Sequence, residues 1–212
     1  MKLLKTVWGQ SKFPLIAVLV ALVVGVNLIS ARSGRTDLLL TGLGLNVELS
    51  DRGVSWIREE LPPLLGAENG EKAAYAPAEM ASFAESANDD GYYLLKNIQN
   101  LCSRDSLDYF LLDKAALENL IGQNMFLDLS GFFTAEELAA MEADLIWAVE
   151  APKEEGEEVD LEARRPVAVR VDSLPFFVDN CPEGERYFAI SSQSTRLEEC
   201  RILWQRLLDW QG

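Results

Sequence analysis

The sequence predicts an α/β protein: a single N-terminal transmembrane helix, then one three-layer domain with a mainly parallel or mixed sheet. Three observations lead there. Residues 13–31 form a run without a charged side chain. Short apolar strands alternate with segments of helical period from residue 37 onward. The chain has 212 residues, and after removal of an anchor of about 35 the remainder suits one ordinary domain core.

The run from Phe13 to Ala31 is 19 residues long. At the helical rise it extends for about 28 Å, close to the hydrocarbon thickness of a bilayer. A secretory signal is the rival reading, because Lys2, Lys5 and Lys12 precede the run. The exit, Asn27-Leu28-Ile29-Ser30-Ala31-Arg32, offers no clean small-x-small cleavage site, which favours an uncleaved anchor. The three lysines also favour an N-terminus inside. The expected organisation is therefore a cytoplasmic basic tail over residues 1–12, a cell-membrane anchor over 13–31 and an extracytoplasmic domain over 36–212.

Five of the 19 basic residues and none of the 34 acidic ones precede Thr36. Residues 36–212 thus carry 14 basic against 34 acidic residues, a net of −20. Such a surface repels nucleic acid and anionic headgroups. The chain has no histidine, which removes Ser-His-Asp and Cys-His catalysis and His-ligated zinc. Cys102, Cys181 and Cys200 show no CxxC spacing. They allow at most one internal disulfide, and three buried thiols is an equal reading.

Within the domain, Asp37 to Thr41 reads as a first strand closed by a turn at Gly42-Leu43-Gly44. Val47 stands where a dinucleotide loop would need its third glycine, so the turn reading is preferred. Ser50 caps a helix carrying Val54, Ile57, Leu61 and Leu64, which Pro62-Pro63 and Gly66 stop. A short strand is expected over 73–76, a helix over 92–103 and a strand over 108–113, whose Asp113 caps the next helix. Thr134 and Glu137 have the capping-box pattern, and residues 145–150 read as a strand. Residues 152–164 are too acidic to pack and read as a loop. Strands over 166–171 and 186–191 flank a turn-like stretch, 172–185. A last helix begins at Ser194 or Thr195, with Thr195 and Glu198 as a second capping box.

The phrases Asp108-Tyr-Phe-Leu-Leu-Asp113 and Phe126-Leu-Asp-Leu-Ser130, with the return from Pro166 to Phe177 and the closing segment from Tyr187 to Trp210, resemble extracellular solute-binding proteins of ABC transporters. The resemblance implies one lobe of the type 2 periplasmic-binding fold. Where the second lobe would be inserted, between Leu145 and Arg165, there are only some twenty residues, seven of them acidic, against on the order of a hundred for a lobe. A single lobe holds half of a clamshell site.

Ligands of open α/β sheets bind outside the carboxyl ends of the strands. That rule selects Thr41, Gly42, Asp113, Asp172 and Ser173 as candidate ligand-binding residues. Asp108 and Asp113, five apart on a strand, face opposite sides and make no catalytic pair. Tyr92, Tyr93 and Phe132-Phe133 could line a groove, with core packing the commoner role. The expected function is a membrane-anchored extracytoplasmic binding or scaffold module without catalysis, cofactor or metal. Its partners are the lipid bilayer through residues 13–31 and a membrane protein, with a small-molecule ligand doubtful and no nucleic acid. The alternative is a membrane-tethered solute-binding receptor subunit of an ABC transporter.

Overall fold

A computed structural model describes residues 38–68, 71–78, 89–149 and 164–212. Its centre is a six-stranded sheet in the order β2-β1-β3-β6-β5-β4. The strands are β1 (Leu38–Leu45), β2 (Lys72–Ala78), β3 (Tyr109–Leu112), β4 (Leu145–Val149), β5 (Arg164–Arg170) and β6 (Tyr187–Ile190). β1 pairs in parallel with β2 and β3, whereas β3 with β6, β6 with β5 and β5 with β4 are antiparallel. The expectation of a mainly parallel sheet is thereby narrowed to a mixed one, parallel on one side and antiparallel on the other.

The transmembrane part of the expected architecture is corrected. Among the described residues no helix is long and apolar enough to cross a membrane. Residues 1–12 and 13–31, where the basic tail and the anchor were expected, lie outside the described residues.

Alternation along the strands sends side chains to two cores, one on each face. Tyr109, Leu111, Phe188 and Ile190 enter the first core, and Phe110, Leu112 and Ala189 enter the second. The first core is covered by α1 (Asp51–Ser55, a π-helical turn Trp56–Glu60, and Leu61–Leu64), α5 (Pro175–Asn180) and α6 (Leu197–Leu208). A 3-10 turn, Leu129–Gly131, and α4 (Ala135–Ala140) complete that layer. The second core lies under α2 (Asp89–Ser103) and α3 (Lys114–Leu120).

The π turn has a local cause. Pro62 and Pro63 offer no amides, and their rings crowd the carbonyls one turn back. Ahead of them the helix widens, and Leu61 N–H reaches the Trp56 carbonyl.

Several boundaries move. β1 does not close at Gly42 but runs on to Leu45, so the expected turn at 42–44 is strand. The reason is a close approach: a Cβ on Gly42 would fall into the Tyr109 ring, and one on Gly44 onto the Tyr75 hydroxyl. The turn-like stretch at 172–185 contains α5, opened by Pro175. The expected cap of α6 is also absent. Arg196 holds the N-cap position without a side-chain bond, and Thr195 is tied to Asp105 instead, Oγ1 donating to Oδ2 at 2.8 Å. The three cysteines are free thiols, Cys102 and Cys200 buried and Cys181 half-buried. Phe132 and Phe133 pack at 4.7 Å between ring centres against the first core. The side chains of Tyr92 and Tyr93, and the acidic segment over 150–163, lie outside the described residues.

Candidate functional site at the carboxyl edge of the sheet

β1, β3 and β5 run in one direction, so their carboxyl ends meet at one edge of the sheet. Register fixes the neighbours: Leu112 and Arg170 both pair with Tyr187, the first residue of β6. Asp113, Arg170, Asp172 and the residues just ahead of Tyr187 therefore share this edge.

Asp113 follows β3 and caps α3, its Oδ1 accepting from Ala116 N–H at 2.8 Å. The same carboxylate accepts from Asn46 Nδ2, 3.2 Å from both oxygens. Asn46 follows β1 in the left-handed conformation, φ 55°, which asparagine tolerates better than most residues.

Beside this pair runs a ladder of charges. Lys114 Nζ lies 3.6 Å from Glu185 Oε2, and Arg170 Nη1 lies 3.6 Å from Glu185 Oε1. Arg170 then grips Asp172 with two bonds, Nε at 2.6 Å and Nη2 at 3.1 Å. Those bonds hold the Asp172 carboxyl below its usual range and raise the Arg170 guanidinium. Burial, aided by the Glu185 charge, raises the Tyr187 phenol behind the ladder. Cys181 nearby is pushed up to about 11 by burial, against the pull of Arg186, so it is held as a thiol.

Of the five residues selected from sequence, Asp113, Asp172 and Ser173 sit at this edge. Thr41 and Gly42 do not: β1 extends past them, and they lie in its interior, paired to Ala74 and Tyr75 of β2. Lys114, Arg170, Glu185 and Asn46 complete the edge and were not selected. Arg170 and Asp172 flank a strand end two residues apart, a readable signal; Glu185 carried none.

No protein-family model, no curated protein and no solved structure matches the chain.

Two other places hold polar chemistry. At the opposite, amino edge, Asp108 is fully buried. Its Oδ2 accepts from Thr41 N–H at 2.7 Å, and its Oδ1 accepts from Ser194 Oγ at 2.8 Å and Arg196 Nη1 at 3.0 Å. Burial raises its pKa, opposed by the Arg196 charge and the other donors. Every oxygen is satisfied, so the cluster ties β1 and β3 to the loop before α6 and offers nothing to a substrate. On the first face, a cleft of about 340 Å³ opens between α1 and the end of α6, lined by Arg52, Trp56, Leu64, Arg206 and Trp210. There Arg52 stacks over Trp210 at 5.3 Å, whose Nε1 donates to Asp179 at 2.9 Å. Among the described residues no three Cys, Asp or Glu side chains converge as metal ligands.

Proposed function

We propose that this domain is a non-enzymatic binding or scaffold module whose contact surface is the carboxyl edge of the sheet. The observation that carries the reading is the ladder Lys114–Glu185–Arg170–Asp172 with Asp113–Asn46 beside it. These groups neutralise one another along an edge instead of converging on an enclosed space. A solute site needs polar groups aimed into a concave pocket. An edge of exposed, paired charges suits a protein partner, for which complementary charge supplies orientation and speed of association.

Two further points support it. Val149 pairs with Arg164, so residues 150–163 join adjacent antiparallel strands. That link is far shorter than the roughly hundred residues of a second lobe. The resemblance to one lobe of a solute-binding protein is consistent with a domain that kept the sheet and lost the clamshell.

The test is a pair of measurements on the full chain. A thermal-shift screen against amino acids, sugars and short peptides is expected to give no stabilisation beyond a degree. In-cell crosslinking is expected to recover a protein partner, and Glu185→Lys to lose it without a change in melting temperature. Stabilisation of several degrees by one solute would reverse the reading in favour of a transporter receptor.

A further inference from the structure

We draw no further inference here: the strongest candidate, the open cleft of about 340 Å³ between α1 and the end of α6, is lined by both signs of charge, Arg52 and Arg206 with Glu60 and Asp209, and nothing in the structure shows what fills it.

Discussion

Gly42 and Gly44 sit inside β1 because two tyrosines cross it, Tyr109 from β3 and Tyr75 from β2. Gly42→Ala puts a methyl group into the Tyr109 ring and is expected to destabilise the domain by about 1–3 kcal/mol, read from urea unfolding. An unchanged midpoint would mean that the ring moves aside at no cost. A sequence reader sees Gly-x-Gly and expects a turn, because the tyrosines that need the space lie more than thirty positions away. Thr41 and Gly42 were selected as site residues for that reason alone. Asp113 was legible because its cap is a local bond, three residues long. Asp108 was not legible as a buried charge, since its cationic partner Arg196 comes 88 residues later. Arg196→Met leaves that carboxylate buried without its cation and is expected to cost about 3 kcal/mol at neutral pH. The folded pKa of Asp108 already lies above its usual value, and removing the cation raises it further. The deficit should shrink as pH falls towards that raised value and vanish below it. A deficit independent of pH would place the loss in packing and not in the ion pair.

Helix ends show where local signals suffice and where they fail. The Thr134–Glu137 box forms as its spacing requires: Glu137 N–H donates to Thr134 Oγ1 at 3.2 Å, and Glu137 Oε2 accepts from Thr134 N–H at 2.8 Å. That second bond, with help from Arg201, holds Glu137 below its usual range. Thr134→Ala is expected to cost about 1 kcal/mol in chemical denaturation, and retention of full stability would show that tertiary contacts alone hold α4. The same pattern at Thr195 and Glu198 gives no cap. Asp105, held at φ 50°, takes both the backbone and side-chain donors of Thr195, at 3.2 and 2.8 Å. A contact from 90 positions away thus outcompetes a box four residues long. Strands β3 and β6 were readable because all their residues are buried and apolar. Helix α5 was obscured: six residues opened by proline show too little period to stand out from a turn.

At the level of the whole molecule, sequence alternation gave strands and helices but not the direction of the second half of the sheet. Parallel neighbours require crossovers of a dozen residues or more, and antiparallel ones can be joined directly. β4 and β5 are a direct pair whose ends meet at Val149 and Arg164. The acidic segment between them spans residues 150–163 and holds seven acidic residues and one basic. Ladder register and the apolar contacts of Leu145 and Val169 with the first core hold the two strands, independently of the link. Replacing residues 150–163 by a five-residue Gly/Asn turn should therefore preserve the fold. Shortening the loop lowers its closure entropy by about 1 kcal/mol, and removing six net negative charges lowers self-repulsion. Both effects have the same sign, so the variant is expected to melt at or slightly above the parent chain. The gain from charge removal should diminish as salt screens it, whereas the gain from the shorter loop should persist. A variant that unfolds would show that the acidic segment packs on the domain.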